Sequence, residues 1–220
     1  MIALQGDDSF RPQRATAKGI YDNSILVLEG EALFSDWDGY ACELLVKLKA
    51  NGQRIFVDGK EAGLEIADYD YTKLKLFFVS LLWRAHTTKH LFFGNVELDD
   101  SHEKKIRQMI LNGLPGEVDD YPVTIGYCED NKGGWLPVAS PWCSMRGNKK
   151  YYTFFLASWI VQIRPDDEGC DPDEHFYALS PHWPLRLANL GRLQDLTIFK
   201  DWMLPKMKER WENEPGSWTF

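Results

Sequence analysis

Few side chains in this 220-residue chain have the type and spacing to do chemistry. His86 and His90 stand four apart, and on one helix face that spacing lets two imidazoles grip a metal ion. However, HTTKH has no Glu after its first His and straddles a helix end, where two exposed histidines are the simpler reading. Cys128, Cys143, Cys170 and His175 are the donor types of a Cys₃His zinc site, but no two of these cysteines share a short-spaced knuckle. The run Asp166, Asp167, Glu168, Asp171, Asp173 and Glu174 gathers oxygen donors for Ca²⁺ or Mg²⁺. It lacks the alternating donors, central Gly and closing Glu of an EF-hand loop, so it reads as a solvated acidic loop that also suits a basic partner. There is neither a GxSxG elbow nor a phosphate-cradling GK[ST] loop.

The elements that must position these groups follow from apolar spacing. Leu33, Phe34, Trp37, Tyr40, Ala41, Leu44, Leu45 and Leu48 recur at three- and four-residue steps and predict a helix over 31–48. Cys42 lies near its apolar face and is expected to be a buried thiol. Asn51-Gly52 stops that helix, and RIFVDGKEAGLEI follows as a hairpin with Asp58-Gly59 in the turn. A second helix is predicted from about 68 or 71 to 86, burying Leu74, Phe77, Phe78, Leu81 and Leu82. A third starts with Ser101 as N-cap and ends at Gly113. The period then switches to two through YPVTIGYC, GWLPVAS, KYYTFFLASW and IVQIR, which read as antiparallel strands. The tail from LGRLQDL onward reads as mostly helical. The predicted fold class is α+β: N-terminal helices packed with an antiparallel β-meander and a helical C-terminal tail. An N-terminal arm over residues 1–30 leads into a single domain over 31–220.

Composition limits the function classes. Lys and Arg number 25 against 33 Asp and Glu, a net charge of −8 that disfavours nucleic acid, whose binding depends on cations displacing counterions. The longest apolar run, LKLFFVSLLW, is too short for a bilayer, and the N-terminus lacks a signal-peptide layout. The four cysteines form no secreted disulfide framework, so a cytoplasmic protein with reduced thiols and no membrane association is expected. Nine Trp are difficult to bury together, which leaves Trp183, Trp211 and Trp218, with Asp166, Asp167 and Glu168, as candidate contacts for a protein partner.

The stretch DNSILVLEGE at 22–31 sharpens this expectation. Its pattern of Asn23, an apolar residue, two positions three apart and Glu31 resembles the central segment of HNH-type endonucleases. LKLFFVSLLWRA and HEKKIRQMILNGLPGEVDDYPV further resemble a set of uncharacterised bacterial proteins with an HNH-like, zinc-ribbon N-terminus. The resemblance implies a ββα-metal unit, a His general base and CxxC pairs holding zinc, in a setting of phage defence or mobile elements. The ligand positions here are Val27 and Gly30, which cannot bind metal, no His precedes Asn23, and the chain has no CxxC. Asn23 and Glu31 are then remnants of the motif, acting as a turn residue and a first-turn helix acid. VDGK at 57–60 carries the acid-x-Lys fragment of another nuclease class, but its Asp-Gly is better used as a turn.

The sequence therefore predicts a non-catalytic interaction protein without cofactor or metal, a metal-free relative of HNH-like proteins acting through protein contacts. The alternative is a metal-dependent nuclease with ligands from His86, His90, Asp99 and the later acids. Protein purified without added metal is expected to carry no stoichiometric zinc by elemental analysis, and to leave plasmid DNA intact in Mg²⁺ or Mn²⁺. EDTA-sensitive cleavage would favour the nuclease.

Overall fold

The computed structural model describes residues 3–4, 28–129, 138–156, 159–197, 199–203 and 205 of the chain. A two-residue β1 (Ala3–Leu4) precedes α1 (Leu28–Asn51). Phe34, Trp37 and Ala41 of α1 are buried, with Leu44 and Leu45 packed beside them, as the spacing requires. Cys42 is exposed, contrary to expectation, because one residue beyond Ala41 a helix has turned about 100° away from its apolar stripe.

β2 (Gln53–Val57) and β3 (Lys60–Ile66) form the expected hairpin, with Asp58 and Gly59 at φ 50° and 75° in the turn. α2 (Tyr71–Thr87) is capped by the Asp70 carboxylate, which accepts from the Lys73 N–H at 2.9 Å. It contacts both α1 and the next helix, α3 (Asp100–Asn112), and buries residues around most of its circumference, including Leu74, Leu76, Phe78, Val79 and Leu82. Phe77 and Leu81 are only partly buried. The Arg84 guanidinium ties α2 to α1 with two 2.9 Å bonds to the Asp38 carboxylate. At α3 the N-cap is Asp99 and not Ser101: its carboxylate accepts from the Ser101 and His102 N–H groups, and its charge suits the helix dipole. Gly113, at φ 63°, ends α3.

The second half supplies β4 (Val123–Tyr127), β5 (Val138–Ala139), β6 (Trp142–Arg146), β7 (Lys149–Leu156), β8 (Trp159–Ile163), α4 (Pro172–Tyr177) and β9 (Leu185–Asn189). β1 and β5 form a small parallel pair. The other strands make one seven-stranded sheet in the order β2-β3-β9-β4-β8-β7-β6, antiparallel except between β4 and β9. The α+β class holds. The simple meander does not, because β9 returns from the C-terminal region to lie between β3 and β4. Residues 185–189, for which no element was expected, supply this strand, with Leu185 and Leu187 buried in the middle of the sheet, and the tail expected to be helical from Leu190 onward shows short 3₁₀ and π turns at Leu193–Asp195 and Phe199–Met203. Residues beyond 205 lie outside the described region. Among the described residues no helix is long and apolar enough to cross a membrane.

One sheet face meets the helices. Val123, Ile125, Tyr152, Phe154, Val161, Ile163, Leu185 and Leu187 join α1, α2 and α3 side chains in a single buried cluster. Lys75 on α2 is fully enclosed, donating from Nζ to the Tyr121 carbonyl at 3.0 Å. Burial pushes its pKa down to about 8, against smaller opposing pulls from Cys170, Asp120 and Asp119. A lysine whose folded pKa lies below its unfolded value leaves the unfolded state binding more protons between the two, so stability rises with pH there. Unfolding in urea is expected to show the protein gaining on the order of 3 kcal/mol relative to Lys75→Met between about pH 8 and 10.5. A pH-independent difference would mean that the ammonium is solvated.

Candidate functional site

Strand alternation sends the remaining side chains to the opposite face. Thr124 and Gly126 of β4, Ile160 and Gln162 of β8, Tyr151 and Thr153 of β7, and Trp142, Ser144 and Arg146 of β6 point away from the helices. With Ala188 of β9 they floor a groove of about 790 Å³ that crosses five neighbouring strands. One part of its wall is α4 and the residue before it, through Asp171, Asp173, Glu174 and Tyr177. Another is the segment after β9, through Leu190, Leu196, Thr197 and Asp201. That volume is within the range of ligand-binding clefts.

The walls are held by specific contacts. Arg164, directly after β8, has no exposed side-chain surface. Its guanidinium bonds the Asp166 carboxylate, the Gly169 carbonyl and, at 3.1 Å, Glu174 Oε2. A buried charge needs such partners, so the guanidinium folds residues 164–174 around itself and fixes α4 beside the sheet. Tyr121 N–H donates to the Asp166 carbonyl at 2.9 Å, and Cys170 N–H to Asp119 Oδ1 at 2.8 Å, which joins the loop to the chain before β4. Lys149 meets Asp171 at 2.7 Å and holds that carboxyl below its ordinary pKa. At the other wall, the Leu190 N–H donates to the Tyr127 carbonyl at 2.9 Å, and the Leu190 side chain covers Gly126. A Cβ on Gly126 would lie 2.6 Å from Leu190 Cδ1, so any larger residue there would push the Leu190 side chain aside. Within the groove, the Arg146 guanidinium sits 4.8 Å from the centroid of the Tyr151 ring and donates to Gln162 Oε1 at 2.7 Å.

The residues singled out from sequence go to different places. Asn23 and Val27 lie outside the described residues, whereas Gly30 and Glu31 are in the first turn of α1. Asp166 pairs with Arg164 and Asp167 with Lys105, while Glu168 is exposed. The acidic run is not wholly loop, since Asp171 and Pro172 start α4. Trp183 is half-buried, its ring 4.7 Å from that of His175, and its buried indole N–H has no acceptor among the described residues. Trp211 and Trp218 lie outside the described residues. Trp159, counted among the tryptophans hard to bury, is enclosed and donates to the Leu45 carbonyl at 3.0 Å.

His86 and His90 are half-buried rather than exposed. Their Nδ1 atoms accept from the backbone of Leu98 and Phe92 at 3.1 and 3.2 Å, which fixes the turn after α2. Burial lifts the Cys170 thiol to about 12, where little thiolate forms. Among the described residues no group of His, Cys, Asp or Glu is arranged to hold a metal ion. The groove residues Trp142, Arg146, Tyr151 and Gln162 were not anticipated as a site. Their period-two placement was visible, but the face they share depends on the sheet. Comparison of the chain with protein-family models, curated proteins and solved structures gives no match.

Replacing Arg164 with Met would leave two inward-facing carboxylates without their cation. It is expected to destabilise the protein by about 3–5 kcal/mol in urea unfolding. Arg164→Lys should recover only part of this, because an ammonium cannot reproduce the planar fork. A loss below about 1 kcal/mol for Arg164→Met would show that the loop is held in some other way.

Proposed function

We propose that this chain is a non-catalytic interaction protein that binds an extended segment of a partner polypeptide in the groove on the open face of its sheet. The carrying observation is the course of that groove across β9, β4, β8, β7 and β6. Four interstrand spacings amount to roughly 19 Å. About six residues of extended chain cover that distance. Thr124 and Ser144 offer hydroxyls along the floor, where Thr153 is buried and bonded to Gln162, and Trp142 and Tyr177 offer apolar contact area, a mixture suited to peptide backbone and side chains.

Val27 and Gly30 in the positions of HNH metal ligands support the same reading: a metal-free relative of HNH-like defence or mobile-element proteins that works by contact. The proposed setting is the cytoplasm, with the four cysteines as free thiols. Glu168 and Trp183 remain candidate contacts outside the groove.

Selection of random decapeptides against the folded protein, followed by amide chemical-shift mapping, tests the proposal. The selected peptides are expected to shift Thr124, Ser144 and Gln162. They should bind on the order of tenfold more weakly to Ser144→Trp, whose indole fills the groove, while its circular dichroism stays that of the parent. Peptides that bind but leave these amides unmoved would refute the groove as the contact surface.

A further inference from the structure

We infer that β2 is a self-association edge: two copies of this chain pair their β2 strands antiparallel, about a two-fold axis centred on Phe56. β2 is the outermost strand at the end of the sheet away from the groove, and no strand among the described residues pairs its outer edge. Such an edge offers a row of N–H and C=O groups that a further strand can take up. Proteins usually blunt it with a bulge, a proline or a lysine. β2, with the sequence QRIFV, has none of these. The irregularity of the hairpin falls on β3, where Ala62 is the extra residue between the pairs Ile55–Gly63 and Phe56–Glu61, so β2 itself runs unbroken. Its side chains are uncovered too: Gln53, Arg54, Phe56 and Val57 are exposed, Phe56 at 60%.

The order of the residues selects the occupant. A two-fold contact requires that if residue i meets j, then j meets i. Arg54-Ile55-Phe56-Val57-Asp58 satisfies this when laid against its own reverse. Arg54 falls opposite Asp58 of the second copy, Ile55 opposite Val57, and Phe56 opposite Phe56. Opposite charges, two β-branched side chains and two aromatic rings are the pairs that stabilise an antiparallel ladder. In the register centred on Ile55, Arg54 meets Phe56 and Asp58 meets Gly52, so both charge pairs are lost. The charges are also available. Asp58 is exposed without an ion-pair partner among the described residues, and Arg54 spends one of its five N–H groups on Glu61 at 2.8 Å. A contact one strand wide is smaller than a standard interface, so the dimer is weak and forms at high protein concentration.

Sedimentation velocity of the full chain between about 5 and 500 μM tests the inference, with an expected dimer Kd on the order of 100 μM. Phe56→Lys sets like charges across the axis and should stay monomeric throughout, with the circular dichroism of the parent. Asp58→Asn keeps a turn-forming residue and should weaken the dimer about fivefold. Under mild oxidation Phe56→Cys should give a disulfide joining two copies at position 56, identified by peptide mass spectrometry, whereas Gln53→Cys should give none at position 53. A chain that stays monomeric at the highest concentration and forms no disulfide at position 56 would overturn the inference. So would a dimer that Phe56→Lys leaves intact, or a disulfide at position 53. The groove is read separately, by peptide selection, and stands or falls on that result.

Discussion

A guanidinium that cannot give up its proton is buried where β8 ends, and much of the second half of the structure is arranged to tolerate it. Arg164 has no exposed side-chain surface, so its charge must be answered by groups of the protein. Asp166, Glu174 and the Gly169 carbonyl answer it, and to do so the chain from 164 to 174 must curl back toward the sheet. That curl has two consequences. It presents the Asp166 carbonyl to the Tyr121 N–H, which fixes the chain entering β4 with Tyr121 at φ 49°, a conformation costly for a bulky residue. It also sets α4 against the open sheet face, where this six-residue helix becomes a wall. A helix so short has little stability of its own and depends on such anchoring.

The carbonyl of the same Tyr121 accepts from buried Lys75, and its hydroxyl lies 3.0 Å from His102 Nδ1. Tyr121 therefore connects the helical layer, through α2 and α3, to the loop built on Arg164. A disturbance at either buried cation should be felt at the other, because both act on one residue that cannot relax freely. The topology binds the layers further. β9 forms its ladders with β3 on one side and β4 on the other, so the N-terminal hairpin joins the main sheet only once the C-terminal strand has arrived. Such long-range closure is slow relative to the local formation of α1, α2 and α3.

How much of this the sequence disclosed depended on whether the signal was local. The Asp58-Gly59 hairpin was legible because positive φ at both turn residues selects those residue types. α1 and α2 were legible from apolar spacing, although that spacing gave no hint that Lys75 would be enclosed. The α3 boundary slipped because two good caps adjoin, and the carboxylate of Asp99 reaches two N–H groups while its charge meets the dipole. α4 had its own signal, an acid followed by Pro172 at the first helical positions, but it was masked by the charge run around it. β9 was the consequential miss. LRLAN is short, follows a proline and carries an arginine, so it gives little strand signal of its own, and only its neighbours in the sheet make it a central strand. The groove was illegible for the same reason, since it exists only once β9 has brought Ala188 and Leu190 beside β4.

The acidic character of the groove follows from how the fold is held together, and not from the overall charge alone. The cations near the acidic run are already engaged: Lys105 with Asp120 and Asp167, Lys149 with Asp171, and Arg164 with Asp166 and Glu174. Each of these pairs secures a loop or a wall, so none is available to neutralise the interior of the cleft. Arg146 is likewise committed, to Tyr151 and Gln162. Asp173 on α4 and Asp201 in the turn after β9 border the cleft and have no ion-pair partner among the described residues. A surface assembled in this way repels phosphates and attracts cations wherever it is concave enough to concentrate its field. The same ion pairs that close the acidic loop thus leave the open face of the sheet bordered by carboxylates.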